Sequence, residues 1–305
     1  MTKRLSVSIV IPNWNGENLM KKHLAGIVAA SEGAEIIVAD DASGDESIKL
    51  LRTKFPSIRL IENKKRRGFA GNVNTGVAAS RGDIVVLLNS DVEPEKGFLK
   101  PLIRHFHDPK VFAVGCLEKS YDPDGTVLRG RGLARWHRGF LIHWRGEVVN
   151  KRDTAWVSGG SGAFRKRIWR SLGGMDALYS PFYWEDIDLS YRALKAGYKL
   201  VFEPKSIIGH YHEQGKIKSE FSPEEVKRIA YRNQFTFIWK NLSDPVWMLV
   251  HCFWAPLKLL RAVTRGDWLM WQGYLLALGR LPQILSSRLK SSSHWHMSDR
   301  AIFHP

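Results

Sequence analysis

Three acidic side chains fall within residues 185–188, where the pattern predicts the start of a helix. Asp186 and Asp188 are two residues apart, so they cannot share one face of that helix. Glu185 and Leu189, which are four residues apart, can share one face. If Leu189 packs inward, Asp186 is free to point past the helix end into a cleft, where it could take the proton of a bound alcohol. The alternative is that the three acids only complement the positive end of the helix dipole.

The elements that must position this helix begin with a regular alternation over residues 1–120. Apolar runs predict strands at 7–11, 36–39, 58–61, 84–88 and 111–117, with helical patterns between them at 17–30, 45–55, 70–80 and 95–107. Unbroken apolar strands that alternate with helices are typical of an α/β fold, with a mainly parallel central sheet and helices on both faces. In such sheets ligands bind beyond the carboxyl ends of the strands.

Polar residues follow the first two strands and could contact a nucleotide. Those after the first strand include Pro12, Asn13 and Asn15, and Asp41 follows the second. A carboxylate at this edge can accept hydrogen bonds from a nucleobase N–H or a ribose hydroxyl. The alternative is a turn in which Ser43 or Asp45 caps the next helix.

A glycine-containing loop at residues 66–71 joins the third strand to the next helix. Gly68, beside Phe69, permits close backbone approach, and a helix N-terminus attracts phosphate. The loop lacks the spacing of a P-loop or a dinucleotide fingerprint. A solvated basic loop is therefore the alternative.

Residues Asn89, Ser90 and Asp91 follow the fourth strand and offer oxygen ligands. Opposite a diphosphate, one carboxylate with oxygen neighbours could hold Mg²⁺ or Mn²⁺, which share phosphate oxygens. An ordinary turn is the alternative. His210 follows the last short strand, and it could complete the metal shell if the fold returns it to the cleft.

The second half of the chain has a different organisation. Residues 118–155, rich in glycine and arginine, predict a basic, partly mobile insertion. Helices are expected at 165–172, 185–196 and 223–239, and short strands at 200–202 and 207–208. Ser222, Pro223 and Glu225 are suited to cap and start the third of these helices. We expect one domain over residues 1–243 and a helical extension over 244–305.

The chain's charge limits its partners. Its 305 residues carry a formal net charge of +16, which favours nucleic acid, anionic lipid or phosphorylated substrates. No nucleic-acid-binding pattern accompanies the arginines, so nucleic acid is not expected. Two cysteines, Cys116 and Cys252, form no disulfide framework or zinc spacing, which indicates a reducing compartment.

The extension is rich in tryptophan and leucine. Its apolar segment 246–260 is about 15 residues long, too short for the roughly 20 that a bilayer requires. Segment 268–289 places apolar residues on one helical stripe with basic residues beside it, a pattern that suits a membrane interface. Covering of the core, or a contact in a homo-oligomer, is the alternative.

The ordered set of these segments resembles a known family, the inverting, nucleotide-sugar-dependent glycosyltransferases of family 2, over roughly residues 5–240. The resemblance is greatest to the rhamnosyl- and galactofuranosyltransferase-like branch. The matching segments are 10–16, 39–43, 68–71, 88–91, 162–164, 173–176, 184–189 and 232–233.

The resemblance implies a GT-A fold and a role for each matching position. Asp41 would contact the nucleobase, and Pro12 and Asn13 would line its pocket. Asp91 and His210 would bind the metal. Asp186 would be the general base, and Glu185 would position the acceptor.

Three positions depart from the family pattern. Asn89 replaces the first Asp of the D-x-D motif, Arg66 stands where Asn is common, and Glu46 replaces a usual Gly. These departures leave the nucleotide open among UDP, dTDP and GDP.

The expected activity is metal-dependent transfer of a sugar to a hydroxyl of a glycan or polyprenyl-linked glycan in cell-surface polysaccharide synthesis. The expected location is cytoplasmic, peripheral on the anionic inner face of the plasma membrane. A catalytically inactive, scaffold-like relative is the main alternative. A sugar nucleotidyltransferase is disfavoured, because the basic, glycine-rich loop that such enzymes carry after strand one is replaced here by residues 13–17.

Overall fold

The computed structural model describes residues 5–122, 125–146, 150–211 and 220–303. Strands and helices alternate as β1 Val7–Asn13, α1 Glu17–Ala30, β2 Glu35–Asp40, α2 Ser47–Lys54, β3 Arg59–Glu62, α3 Gly68–Ala79 and β4 Ile84–Leu88. Every residue of β4 is buried, as an unbroken apolar run requires. The expected βα order of the first half is confirmed.

The chain continues through β5 Val92–Pro94, α4 Leu99–Ile103, β6 Val111–Asp122, β7 Gly125–Arg129, β8 Gly132–His137, β9 Phe140–Arg145, β10 Ser161–Arg165, α5 Lys166–Ser171, α6 Glu185–Lys195 and β11 Lys199–His210. The main sheet has the order β3-β2-β1-β4-β10-β6-β11-β5, and β7 pairs with β6. Its β3-β2-β1-β4 half is parallel, whereas β10 runs antiparallel to both β4 and β6. The carboxyl ends of β1, β2 and β4 therefore share one edge.

Helices cover both faces of this sheet, as expected. One hydrophobic cluster joins the strands to α1, α2 and α4 through side chains such as Leu24, Leu51 and Leu102. A second cluster, on the other face, includes Val73 of α3 and Leu189 of α6. The inward packing of Leu189 meets the condition under which Asp186 can face a cleft.

Two predicted elements differ from the structure. The helix expected over 95–107 is the short α4 followed by a 3-10 turn, Arg104–His107. Pro101 has no N–H to donate and is tolerated only in a helix's first turn, which places the start near Leu99. The strands expected at 200–202 and 207–208 are one strand, β11, whose register shifts between Glu203 and Ile207.

The βα alternation stops over residues 118–155, as expected, and the described residues of this segment include three strands and the end of a fourth. Strand β6 extends to Asp122 and pairs with β7, while β8 and β9 form a separate antiparallel hairpin. The first four residues of β7 are exposed, so no apolar run marks the strand in the sequence.

The carboxyl-terminal helices are α7 Pro223–Asn241, α8 Pro245–Thr264, α9 Trp268–Leu278, α10 Leu281–Ser292 and α11 Asp299–Phe303. The predicted cap of α7 is confirmed, because Ser222 and Glu225 form a reciprocal capping box. A third hydrophobic cluster packs these helices against β9 and α6. The segment expected to form one stripe over 268–289 is divided between α9 and α10.

The estimate that segment 246–260 is too short to span a bilayer was wrong. Helix α8 has 20 residues with a mean hydropathy of 1.3, and among the described residues it alone is long and apolar enough to cross a membrane. The sequence estimate was short because His251, Pro256 and Lys258 interrupt the apolar pattern. Only 22% of the apolar window is buried, so most of α8 is not core.

Candidate active site

The ends of β1 and β2 are held together by the side chain of Asn13. Its Nδ2 donates to Asp40 Oδ2 at 2.7 Å and to Ser47 Oγ at 3.0 Å. Asp40 also accepts from the Ser43 backbone and hydroxyl. The Asn13 amide therefore shapes the wall of the expected nucleotide pocket, with its N–H groups engaged inside the protein.

Asp41, expected to contact a nucleobase, lies against the start of α3. Its carboxylate accepts from the backbone N–H groups of Arg67 at 2.8 Å and Gly68 at 2.9 Å. Burial raises the pKa of Asp41, and these two amide hydrogen bonds oppose that rise. The helix N-terminus thus binds a carboxylate of the protein itself, and Asp41 joins β2 to the basic loop.

Gly68 and Phe69 connect the same loop to the segment that precedes α6. Gly68 has a φ of +72°, and a Cβ there would lie 3.2 Å from Ser180 Oγ. The Phe69 N–H donates to the carbonyl of Pro181. A glycine is needed at position 68 because the backbone is left-handed and the neighbouring loop is close.

Trp14, Asn15 and Pro12 form the remaining surface beyond β1. The guanidinium of Arg66 stacks on Trp14, 3.3 Å from the ring centroid. Asn15 Oδ1 accepts from the Gly44 N–H and lines a cavity of about 470 Å³. Pro12 is half-buried, in register with Ala39 of β2. Arg66, a departure from the family pattern, therefore places a cation over an aromatic face beside Asp41.

Residues Asn89, Ser90 and Asp91 turn immediately after β4. The Asn89 N–H donates to the Gly160 carbonyl, and a Cβ on Gly160 would lie only 2.6 Å from Asn89 Nδ2. Ser90 is half-buried near Gly16. Asp91 is 7% exposed, and its Oδ1 is buried with no hydrogen-bond partner in the described part of the chain. A buried carboxylate oxygen without a donor is suited to bind a cation.

His210 lies beside Asp91, which is the condition for its expected role as a metal ligand. Its Nε2 lies 3.4 Å from Asp91 Oδ2, and its Nδ1 lies 3.0 Å from Glu118 Oε1. Burial lowers the pKa of His210, but hydrogen bonds to Asp91 and Glu118 outweigh it and raise the pKa to about 9. Glu118 therefore fixes the ring with its other nitrogen toward Asp91, as second-shell carboxylates do for metal-binding histidines.

These residues fit a divalent cation that the substrate helps to hold. Adjacent ligands of an octahedral ion with bonds of about 2.1 Å are about 3 Å apart, near the Asp91–His210 separation. Among residues 5–122, 125–146, 150–211 and 220–303, no group of three or more acidic, His or Cys side chains is arranged to hold a metal. Asp91 and His210 would thus supply two ligands, leaving the others to diphosphate oxygens and water.

Asp186 lies at the start of α6, against the segment that precedes β10. Its carboxylate accepts from the Gly159 N–H at 3.1 Å and from the Ile187 N–H at 2.8 Å. Burial raises the pKa of Asp186, opposed by those amides and by the charge of Arg145. A carboxylate with a raised pKa is a stronger base than an ordinary surface Asp.

Glu185 is buried beside it, and burial together with the charge of Asp186 raises its pKa well above the ordinary value. Its Oε2 has no hydrogen-bond partner within the described residues. The preceding Tyr183 and Trp184 both have positive φ angles, of 69° and 77°. Left-handed backbone at two successive aromatic residues is strained, and the surroundings must hold it in place.

The pair Arg232-Asn233 on α7 holds this strained loop. Asn233 Nδ2 lies 2.9 Å from each of the carbonyl oxygens of Tyr179, Phe182 and Tyr183. The guanidinium of Arg232 donates to the Ser180 carbonyl. The conformation of the segment before α6 therefore depends on two side chains of a helix distant in sequence.

Asp188 points away from the cleft, as residues two apart on a helix must. It is fully buried and accepts from Arg192, Lys240, Asn241 and Tyr179. Burial alone would raise the pKa of Asp188, but the cations hold it well below the ordinary range. Asp188 is a structural anion.

The turn at residues 89–91 and the start of α6, which we call the two walls of the site, meet at consecutive glycines. Gly159 donates its N–H to Asp186, while Gly160 accepts the N–H of Asn89. A Cβ on Gly159 would lie 2.7 Å from Met175 Cε and 3.5 Å from Asp186 Cβ. The structure therefore brings the turn carrying Asp91 and the helix carrying Asp186 to one place in the fold.

The sequence profile of Glycosyl transferase family 2 matches residues 8–172 of this chain, more than half its length. The chain belongs to glycosyl transferase family 2.

Two curated relatives of this family 2 chain come from Mycobacterium tuberculosis. A pre-mycofactocin glycosyltransferase is 30% identical over 211 residues, which cover 68% of this chain and 43% of that protein. An N-acetylglucosaminyl-diphospho-decaprenol L-rhamnosyltransferase is 27% identical over 273 residues, covering 78% and 83%. The chain therefore spans less than half the length of the first of these relatives.

Solved structures support the GT-A fold of this family 2 chain. GalNAc-T7 with UDP, GalNAc and Mn²⁺ superposes with a TM-score of 0.62 at 18% identity, over 79% of this chain and 48% of that one. The mannosyltransferase PcManGT of Pyrobaculum calidifontis, in complex with GDP-Man and Mn²⁺, gives 0.58 at 17% identity, over 96% and 81%. The expected fold is confirmed.

Sequence reasoning missed Glu118 and Arg145 in this family 2 site. Arg145 Nη1 lies 3.0 Å from Glu118 Oε2, so the β8–β9 hairpin and β6 meet beside His210. Both residues lie within 118–155, which was expected to be an insertion. Their one sequence signal is two oppositely charged residues in strand-forming segments, which does not identify them as partners.

Proposed function

We propose that this chain is an inverting glycosyltransferase that moves a sugar from a nucleoside diphosphate sugar to a hydroxyl of a lipid-linked or cell-surface glycan. The observation that carries the proposal is the meeting of two walls at Gly159 and Gly160. One wall carries a buried acid, Asp91, whose Oδ1 has no hydrogen-bond partner among the described residues. The other carries Asp186, whose carboxylate accepts from backbone N–H groups.

The start of α6, the acceptor wall, would supply the base that takes the proton. A hydroxyl is a poor nucleophile until a base takes its proton, a contribution of about 10²–10⁴-fold in rate. Asp186 would accept that proton, and its backbone hydrogen bonds keep the carboxylate in one orientation. Glu185, buried behind it, would help to place the acceptor. A single displacement from the face opposite the leaving group inverts the anomeric centre.

The turn at residues 89–91, the donor wall, would stabilise the leaving group. A bound Mg²⁺ or Mn²⁺ would supply charge stabilisation for the departing diphosphate. Asp91 and His210 would hold that ion, with Glu118 orienting the His210 ring. Asp41, Arg66 and Trp14 surround the place expected for the nucleobase.

Two observations support a lipid-linked or anionic acceptor. The name of the rhamnosyltransferase relative specifies a diphospho-decaprenol acceptor. The formal net charge of +16 favours phosphorylated or membrane-bound partners. Both fit work at the cytoplasmic face of a membrane.

The experiment is a transfer and hydrolysis assay with UDP-, dTDP- and GDP-sugars, each with Mn²⁺, Mg²⁺ or EDTA. We expect turnover with one nucleotide class and a product of inverted anomeric configuration. Asp91→Ala should abolish the metal-dependent part of donor affinity, measured by calorimetry, while Asp153→Ala, an exposed acid elsewhere, should not. Donor binding indifferent to both EDTA and Asp91→Ala would contradict the metal role.

The same assay tests the two rivals. An inactive scaffold would bind a donor yet release no sugar with any acceptor or water. A nucleotidyltransferase would release pyrophosphate from a nucleoside triphosphate and a sugar phosphate. Either result would overturn the proposal.

A further inference from the structure

Helix α8 presents an outward face that is apolar over four turns. The exposed fractions are 51% for Val246, 70% for Leu249, 63% for Phe253, 43% for Leu257 and 61% for Leu260. We call these five residues the apolar face. The other exposed positions between residues 245 and 260 hold proline or cysteine, and the one charged side chain of this stretch, Lys258, is half-buried.

The opposite side of α8 is fixed to the catalytic domain by polar contacts. A ring nitrogen of His251 lies 2.7 Å from the carbonyl oxygen of Gly139, and its Nε2 accepts from Trp239 at 3.0 Å. The Lys258 ammonium lies 3.7 Å from the centroid of the Phe140 ring. The polar residues that interrupt the apolar pattern of α8 thus point inward, which is why the outward face lacks them.

Helix α9 extends the exposed apolar surface. The Trp271 indole donates to the Leu259 carbonyl, so this side of α9 lies against α8. Trp268, Leu275 and Leu278 share the stripe of Trp271 by helical spacing and are 58%, 56% and 43% exposed. An exposed apolar surface of this extent is typical of an interaction site.

Positive charge lies at one end of the apolar face. Arg261 and Arg265 are exposed beyond Leu260, and the whole chain carries +16. We propose that α8 and α9 lie in the plane of an anionic lipid bilayer, with the apolar face and Trp268 entering the interface and these arginines contacting the headgroups. Apolar helices with aromatic residues and basic flanks bind membranes in this way.

A spanning orientation of α8 fits its length but not its contacts. Crossing the bilayer would require the helix to leave β9 and α7. His251 and Lys258 would then lose the Gly139 carbonyl and the Phe140 ring and enter the hydrocarbon region. Buried polar groups without partners are costly there. An in-plane orientation retains every one of these contacts.

Docking of α8 on a bilayer would also bear on the candidate active site. Helix α8 packs on the β8–β9 hairpin through the stacked rings of Trp247 and Trp136, 5.2 Å apart. The hairpin ends at Arg145, which pairs with Glu118 beside His210. If the proposed function holds, the bilayer position fixes the height of the site above a lipid-linked acceptor. The docking itself does not depend on that function.

Depth measurement separates the two orientations. Cys252 lies on the exposed side of α8, whereas burial raises the pKa of the Cys116 thiol to about 12 and removes it from labelling. In a Cys252→Ser background, Leu249→Cys or Leu260→Cys would carry an environment-sensitive fluorophore on the full-length chain. Nitroxide lipids of known depth would quench it in vesicles of phosphatidylcholine with phosphatidylglycerol.

Residues 249 and 260 are 11 apart, about 16 Å along a helix axis. We expect both probes at the same shallow depth. Depths that differ by about 16 Å would show a spanning helix, and no quenching would show no insertion. Probe shielding that rises with protein concentration, without vesicles, would show a second copy on the face. Each of these three results would overturn the proposal.

Charge insertion supplies a second measurement. Leu249→Glu with Phe253→Glu should weaken vesicle sedimentation by about tenfold or more, because two apolar side chains leave the interface. The matched control is Val127→Glu with Leu128→Glu, an exposed apolar pair on β7. Equal binding by both double variants would contradict the proposal. Donor hydrolysis in detergent, unchanged by the α8 substitutions, reports the catalytic function separately.

Discussion

Asp186 and Asp188 lie two residues apart on α6, yet the two sides of this helix give them opposite properties. On the cleft side, Asp186 accepts from the backbone N–H groups of Gly159 and Ile187. On the side toward α7, Asp188 accepts from Arg192 and Lys240 as well as neutral donors. Burial raises the pKa of the first, and cations lower the pKa of the second. Which charges surround a buried acid decides whether it can exchange a proton.

The largest expected effect is on the cleft side. Asp186→Asn should lower kcat about 10²–10⁴-fold, because an amide cannot accept the proton. The Tm and the donor Kd should stay near their wild-type values, since the Asn oxygen can still accept from a backbone N–H. Thermal melting, calorimetry and single-turnover transfer measure the three quantities. Retained turnover would assign the base elsewhere.

The same substitution on the other side should act on stability. Asp188→Asn should lower the free energy of unfolding by about 3 kcal/mol or more, because Lys240 and Arg192 lose a shared buried anion. Asp153→Asn, whose partner is Arg131 and whose side chain is 72% exposed, is the control. It should cost about 1 kcal/mol or less.

The pH dependence of that cost has a defined sign. The pKa of Asp188 is depressed in the folded protein, so its stabilisation is present above the ordinary carboxyl pKa of about 3.9. It is lost as the pH falls through the folded pKa. The difference between wild type and Asp188→Asn in urea unfolding should therefore shrink below about pH 4. A difference that grows on acidification would contradict the ion-pair account.

A smaller effect on kcat is expected from the helix that holds the loop. Asn233→Ala should leave the carbonyls of Tyr179, Phe182 and Tyr183 short of donors, at a cost of about 1–3 kcal/mol for each one left buried and unpaired. It should lower kcat as well, because the loop positions Asp186. The matched control, Gln234→Ala, removes one hydrogen bond to Leu141 and should leave kcat unchanged. Equal kcat losses in Asn233→Ala and Gln234→Ala would show that the hydrogen bonds of Asn233 do not position the site.

The smallest effect tests the charge of Arg145, which acts on Asp186 across the site. The charge of Arg145 lowers the pKa of Asp186 from its burial-raised value, while the neighbouring Glu185 carboxyl opposes ionisation. Arg145→Gln should therefore move the acidic limb of the kcat profile to higher pH, by up to about one unit. Arg135→Gln, on the same hairpin, is the control. A shift to lower pH would contradict the assignment.

The first half of the fold could be predicted from the sequence, and so could the sheet edge that carries Asp41 and Asp91. Strands that are apolar throughout are recognisable in the sequence. The residues that follow them, such as Asp41 and Asp91, must lie at one edge of the sheet. The different directions of Asp186 and Asp188 followed from helix geometry alone. In these cases the deciding interactions are local in sequence.

The rest depends on pairings between distant segments. Glu118 reaches His210 only because β6 pairs with β11 in a particular register, and Arg145 reaches Glu118 only because the β8–β9 hairpin folds back. The length of α8 was underestimated because His251 and Lys258 were interpreted as breaks, whereas tertiary contacts bury His251 and partly cover Lys258. Neither register nor the burial of a polar side chain is encoded in a short window of residues.

Gly159 and Gly160 have a consequence for how such a site can change. Each touches a different wall, and adjacent Cα atoms are always about 3.8 Å apart. Covalent geometry, which no packing mutation alters, therefore limits how far the two walls can separate here. Side chains around these glycines can therefore change while the spacing between the Asn89 and Asp186 contacts stays nearly constant.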